Sequence, residues 1–270
     1  MTDHLFDQAI ALTPESENVW TGKSSPAYAN MVGAYGGIVA ATLLNSVLSD
    51  EHHKGTPVSQ TVNFYTGLKA DNFIITTELQ RAGKYIQHWN SELTQDGAVI
   101  ASSSVVLGAR RETFANQPAP IPNVPTAKEL LPMGDRVPLE WTKRYDYRFV
   151  NGEFDAFGKK RDTLGSSQTH VWLADNPRRP LDYLSLAALA DCFFLRLMHI
   201  RGKMEPMGTV TLTTHFIATP KDLTAQGSEH VLGVVDMNCA QNQFHDQTMQ
   251  LFSTSGKILA SGTQLVWYKQ

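Results

Sequence analysis

Asp191 stands in the most apolar run of the chain, Leu186-Ala187-Ala188-Leu189-Ala190-Asp191-Cys192-Phe193-Phe194-Leu195. A buried carboxylate without partners costs several kcal/mol. Such a group must be met by donors, hold its proton to higher pH, or face a wet cleft. Facing a cleft it would act as a general base on water or on a substrate. At a helix end, or on the one exposed stripe of the helix, it would be an ordinary helical acid.

A comparison of the two halves of the chain adds two more polar groups. The segment Asp96-Gly97-Ala98-Val99-Ile100-Ala101-Ser102 resembles Ser255-Gly256-Lys257-Ile258-Leu259-Ala260-Ser261, an offset of 159 from Gly97 to Gly256. Thr61-Val62-Asn63-Phe64 resembles Thr213-Thr214-His215-Phe216 at an offset of 152. Two matches in the same order point to a duplication. On these offsets Gln264 falls where the first half has Val105, and Thr209 where it has Pro57. The first-half apolar helix, Tyr35 to Val47, contains no acid. A group needed to fold the unit should recur, whereas a group needed for one site need occur once. A carboxylate, a hydroxyl and an amide can together hold a water, which is a hydrolytic arrangement.

Each half reads as an apolar helix followed by four β segments. The first helix opens at Tyr35-Gly36-Gly37, and the second spans Leu184 to His199. Helices apolar nearly all round are buried. The β segments run near Pro57–Thr66, Phe73–Arg81, Gln87–Gln95 and Val99–Leu107, then Thr209–Ile217, Glu229–Cys239, Gln243–Phe252 and Ile258–Tyr268. A further β segment precedes each helix, at Asn18–Gly22 and Thr169–Ala174. They are rich in Val, Ile, Thr, Phe and Tyr with partial period-two alternation. Asp96-Gly97 marks a hairpin. Each sheet must curl around its helix, and two such units could join edge to edge or pack helix layers together. Six of the 13 prolines lie between Pro118 and Pro138, where neither helix nor central strand is expected. The reading is an N-terminal unit over 1–112, a proline-rich surface linker over 113–140, and a C-terminal unit over 141–270.

These residues, in this order, resemble the double-hotdog acyl-CoA thioesterases of the thioesterase II type and their wider thioesterase-like group. The resemblance spans about Val19 to Tyr268. Gly36-Gly37, Ala188-Leu189-Ala190-Asp191, Thr209-x-x-x-x-Thr214-His215-Phe216 and Ala260-Ser261-x-x-Gln264 carry it. It implies an α+β double hotdog, two tandem antiparallel sheets each wrapped around a central helix. It also implies that Asp191, Thr209 and Gln264 orient a water that attacks the thioester of a fatty acyl-CoA, releasing free acid and CoA. Thr211 and Thr213 share period two with Thr209 and could supply the hydroxyl instead. The family often has an acid where Thr211 stands. Gly36 and Gly37 could offer backbone N–H groups to an oxyanion at a helix N-terminus; tight packing would need the same glycines. Arg81-Ala82-Gly83-Lys84 resembles a segment that contacts CoA in related hotdogs, with Arg81 and Lys84 as candidate ligands, and reads equally as a solvated turn. Phe193, Phe194, Leu197 and Met198 could line an acyl tunnel, although each is foremost a core residue. Cys192 should be a small core residue, since a helical neighbour of Asp191 points about 100° away from it. His52-His53 should lie in a surface loop, and His215 in a core or interface.

Other classes fit poorly. The net charge is −3 without Lys/Arg clusters, against a nucleic-acid partner. No run reaches a membrane span of about 18 apolar residues, since Asp191 and Arg196 break the longest candidate. Two cysteines suit a reducing cytoplasm, and no signal-peptide pattern opens the chain. No nucleophile elbow, dinucleotide fingerprint, P-loop or metal-ligand pair occurs, so no metal or cofactor is expected. Asp191 is followed by Cys-Phe-Phe-Leu-Arg, which does not fit the Asp-x-Asn-Pro-x-His motif of hotdog enoyl-CoA hydratases and dehydratases. A non-catalytic acyl-CoA-binding hotdog is the other alternative. Exposed sheet edges suggest a homo-oligomer, dimer or larger.

Overall fold

The computed structural model describes residues 4–153, 165–203 and 205–269. In the first half, helix α1 (Leu5–Ala9) and strands β1 (Thr13–Ser16) and β2 (Val19–Lys23) precede helix α2 (Gly36–Ser49). Strands β3 (Thr56–Phe64), β4 (Asn72–Ala82), β5 (Ile86–Gln95) and β6 (Ala98–Gly108) follow it. In the second half, β7 (Tyr145–Asn151) and β8 (Thr169–Asp175) lead into helices α3 (Tyr183–Leu189) and α4 (Arg196–Arg201). Then come β9 (Met207–Phe216), helix α5 (Pro220–Gln226), β10 (Val231–Asp236), the short β11 (Ala240–Gln241), β12 (Phe244–Phe252) and β13 (Ile258–Tyr268).

All the strands join one antiparallel sheet, in the order β1-β2-β4-β5-β6-β3-β9-β13-β12-β10-β8-β7. The path β2-β4-β5-β6-β3 of the first half recurs as β8-β10-β12-β13-β9 in the second, read from the other edge. The halves meet edge to edge at β3 and β9. There Thr61 pairs with Thr213, its counterpart at the 152-residue offset, and their hydroxyls are 3.0 Å apart. A local two-fold axis therefore passes between these threonines. The same symmetry repeats a bulge, at Val58 in β3 and at Val210 in β9. Arg110 clamps the joint, donating to the carbonyls of Pro57 at 2.8 Å and Phe216 at 2.7 Å.

Alternation explains the curl. In the first seven residues of β4 and along β5 every second residue is buried between more exposed neighbours, so one face of the sheet is covered. That face wraps α2, whose residues Gly37 to Leu44 are all buried. Asp96 and Gly97 both have positive φ, 55° and 77°, as the two-residue turn between β5 and β6 requires. The proline-rich segment does not float free. Ala119, Ile121, Val124 and Leu130 pack against Trp172, Leu232, Phe252 and Ile258 on the outer face of the second half, and Trp172 Nε1 donates to Pro125 O at 2.9 Å.

One expectation from the sequence fails. Leu184 to His199 is not a single helix: α3 stops at Leu189, and α4 begins at Arg196. Hydrogen bonds from outside replace the missing helical turns. Tyr35 Oη donates to Ala188 O at 2.6 Å and Tyr147 Oη donates to Cys192 O at 2.9 Å. Arg196 Nε donates to Phe194 O at 3.0 Å. Carbonyls at a helix end need such partners; two tyrosines and an arginine supply them, and Ala188 O also accepts the Asp191 N–H at 3.1 Å. Asp191 lies in that break.

Candidate active site

The break holds Asp191 against the N-terminus of α2. Tyr35 makes the connection, because it is the residue immediately before α2 and its hydroxyl reaches the end of α3. Its ring stacks on Trp141 at 4.3 Å between centroids. The helices approach so closely that only glycine fits. A Cβ at Gly37 would lie 2.5 Å from Ala188 O, and one at Gly36 would lie 2.8 Å from Asp191 Oδ2.

Asp191 is half-buried, and its carboxylate has two donors. Gln264 Nε2 hydrogen-bonds to Oδ1, and the Gly37 backbone N–H points at the carboxylate. Both favour the charged form, as does the positive end of a helix. Burial outweighs them and pushes the Asp191 carboxyl up to about 7. No cation pairs with it among the described residues. Near neutral pH the group is thus poised between its acid and base forms, which suits a general base. Of the donors at the start of α2, the Gly37 N–H is engaged by Asp191, while the Gly36 N–H has no intrahelical acceptor.

The bulge at Val210 sorts the three threonines of β9. Thr209 lies opposite Val266, two residues from Gln264, and so faces inward with it. Thr211 lies opposite the exposed Leu265, and Thr213 bonds to Thr61, so both face outward. Uninterrupted period two would have put all three on one face; the extra residue reverses the alternation. The Thr209 hydroxyl makes no hydrogen bond to another described residue, Asp191 included.

Arg81 and Lys84 are not brought to this cluster. Their turn lies beside Gly108 and Thr56, near the C-terminal end of α2, whose 14 residues span roughly 20 Å from the end that meets Asp191. The Lys84 ammonium sits 5.3 Å over the Tyr85 ring. The Cys192 thiol is fully buried, lies 3.2 Å from the Tyr35 hydroxyl, and is pushed well up by burial, so it is no ready nucleophile. His215 is exposed on the outer face with Ser59 beside it, and His52 and His53 lie just after α2. Phe193, Phe194, Leu197 and Met198 are all buried in close packing, and the gap bounded by Tyr147, Phe149, Phe193 and Phe194 has no room for a water. Stacking of Tyr147 on Phe149 and on Phe194 fills that space. A shallow groove of about 480 Å³, lined by His215, Asp236, Thr248 and Thr263, lies on the outer face of the sheet, away from Asp191.

Residues 25–108 match the model of the acyl-CoA thioesterase N-terminal domain, and residues 118–268 match that of the acyl-CoA thioesterase C-terminal domain. The chain belongs to the acyl-CoA thioesterase family. It is a thioester hydrolase with the α+β hotdog architecture. A hotdog-fold protein of unknown function from Alicyclobacillus acidocaldarius is 34% identical over 100% of this chain and 99% of its own, with a TM-score of 0.93. Two more distant structures share the fold. A Thermobifida fusca protein proposed to be a thioesterase II is 19% identical over all of both chains, TM-score 0.85. The acyl-CoA thioesterase II of Mycobacterium marinum is 18% identical over 98% of each chain, TM-score 0.76. No curated protein matches the sequence.

Sequence reasoning missed three residues of this thioesterase that shape the site. Tyr35 was read only as a helix start. Gln247 donates to Gln264 Oε1 at 3.2 Å and carried no signal, since an amide in a strand is common. Arg196 did carry one: like Asp191, it is a lone charge in an apolar run. Among the described residues no helix is long and apolar enough to cross a membrane, and no cluster of His, Cys, Asp or Glu could hold a metal ion.

Proposed function

We propose that the thioesterase hydrolyses a fatty acyl-CoA by general-base activation of a water, with Asp191 as the base. The carrying observation is the Asp191 carboxyl, held by Gln264 and the start of α2, with its proton affinity raised to about neutral. The water donates to Asp191 and to Thr209 Oγ1 and accepts from the second N–H of Gln264, which leaves one lone pair for attack. Thr209 lies diagonally across two strands from Gln264, a separation of about 7–8 Å between diagonal cross-strand neighbours that two side chains and a water fill. Attack gives a tetrahedral oxyanion, which the Gly36 N–H and the positive end of α2 stabilise. Collapse expels CoA thiolate, which takes the proton held by Asp191. General-base assistance of this kind contributes about 10²–10⁴-fold.

The wider setting is a reducing cytoplasm and fatty-acid metabolism, with the enzyme a homo-oligomer; free Cys192 and Cys239 and the exposed edge strand β1 support this reading. The test is thiol release across acyl-CoAs of graded chain length, for the wild type and Asp191→Asn. Turnover by the wild type, with loss of about a hundredfold or more in the variant, is expected. Tight acyl-CoA binding without thiol release would overturn the fatty acyl-CoA reading, and full activity in the variant would remove Asp191 from the mechanism.

A further inference from the structure

Behind Gln264 the hydrogen bonding continues. Gln264 Oε1 accepts from Gln247 Nε2 at 3.2 Å, and Gln247 Oε1 accepts from Arg196 Nε at 3.3 Å. All three side chains are buried, at 2%, 1% and 1% exposure. The Arg196 guanidinium has no ion-pair partner among the described residues; it donates instead to Ser167 O, Thr169 Oγ1 and Phe194 O. A fully buried guanidinium with no carboxylate in contact is costly unless acceptors meet its donors.

The chain has a direction. A guanidinium has donors only, so Gln247 must turn its oxygen to Arg196 and its NH2 to Gln264. Gln264 must then turn its own oxygen to Gln247 and its NH2 to Asp191. The far end is a carboxylate, which only accepts. Reversing either amide sets oxygen against oxygen, or NH2 against NH2, in a site with little water to relieve it.

We infer that Gln247 and Arg196 are positioning residues of this hydrolase, holding Gln264 with its Nε2 towards Asp191 and its second N–H towards the attacking water. The inference rests on Asp191 being the base. It explains why a lone cation sits in the apolar run: Arg196 fixes the polarity of a four-residue relay that ends at the base. The other titratable groups around Asp191 are Tyr35, Tyr147 and Cys192, all kept neutral by burial. Arg196 is faced by Asp236 and His245.

Gln247→Glu tests the relay at nearly constant shape. The new carboxylate would pair with Arg196 and accept from Gln264, whose amide must then turn its oxygen towards Asp191. A purely structural role would be served at least as well by that ion pair. The expected result is an unchanged or higher melting temperature and a KM within about twofold, with kcat at pH 7 down about tenfold or more. The pH–rate inflection should move up by about one unit. Gln247→Met, which frees Gln264 to turn, should lower kcat about tenfold with the same upward shift. Wild-type kcat and inflection in both variants would overturn the relay while an inactive Asp191→Asn still upheld the base. Full activity in Asp191→Asn would overturn both.

Discussion

Gly36→Ala places one methyl group against Asp191 Oδ2. The added Cβ would lie 2.8 Å from that oxygen and 3.4 Å from the Phe64 ring, whereas ordinary van der Waals contact begins near 3.4 Å. The ring can stay, and the oxygen must retreat by about 0.6 Å. It cannot do so freely, because the carboxylate is held by Gln264 and the Gly37 N–H. A displacement of about 1 Å at a reacting group costs about 10²-fold, so a fall in kcat of about tenfold to fiftyfold is expected. Stability should change little, since alanine favours a helix by about 1 kcal/mol over glycine and offsets part of the crowding. The assay is steady-state thiol release at pH 8 alongside a thermal melt. Gly208→Ala is the control, since nothing lies within 4 Å of a Cβ there. Wild-type kcat in Gly36→Ala would show that the carboxylate does not work from this position.

Three further outcomes follow from the same contacts. An Asp191 carboxyl raised from 3.8 to about 7 favours the folded state only while protonated, so its contribution is full below about pH 4 and is lost as pH rises through 7. Above pH 7 the cost is up to about 4 kcal/mol; the acceptor that asparagine loses offsets about 1–2 of that. Asp191→Asn should therefore melt several degrees higher at pH 8.5 and little differently at pH 4.5, and an equal shift at both would contradict the burial. Asp175, buried at the end of β8 with one carboxylate oxygen unpartnered, is likewise raised to about 7. Asp175→Asn should stabilise the protein at pH 8.5 with kcat unchanged, which melting curves and thiol release check together. Tyr35→Phe removes the hydroxyl from Ala188 O, which keeps the Asp191 N–H at 3.1 Å; a stability loss of about 0.5–1.5 kcal/mol with a larger proportional loss of kcat is expected. Unfolding in urea and turnover at saturating substrate measure the two effects.

Much of this architecture was legible because it rests on period and repetition. The alternation of β4 and β5 and the all-round apolarity of α2 are local patterns. The offset that relates Thr61 to Thr213 turned out to be the axis joining the two halves. What was not legible depends on contacts between distant segments. The break after Leu189 is made by Tyr35 and Tyr147, 153 and 45 residues from the carbonyls they serve, so no local signal marks it. The inward turn of Thr209 depends on one bulged residue, Val210, which β propensity does not reveal. Asp191 drew attention as the lone acid in an apolar run, and Gln264 because the first half has Val105 in its place. Gln247 and Arg196 were passed over because they serve the site from behind it, within the packed core.

The most direct test of the central claim is the pH dependence of kcat/KM for acyl-CoA hydrolysis. An Asp191 base with a carboxyl near 7 gives a rate that rises with pH, bends near 7 and stays level above it, with the bend absent from the residual activity of Asp191→Asn. A wild-type profile already flat from pH 5 upward, or a bend near 7 that survives in the variant, would contradict it.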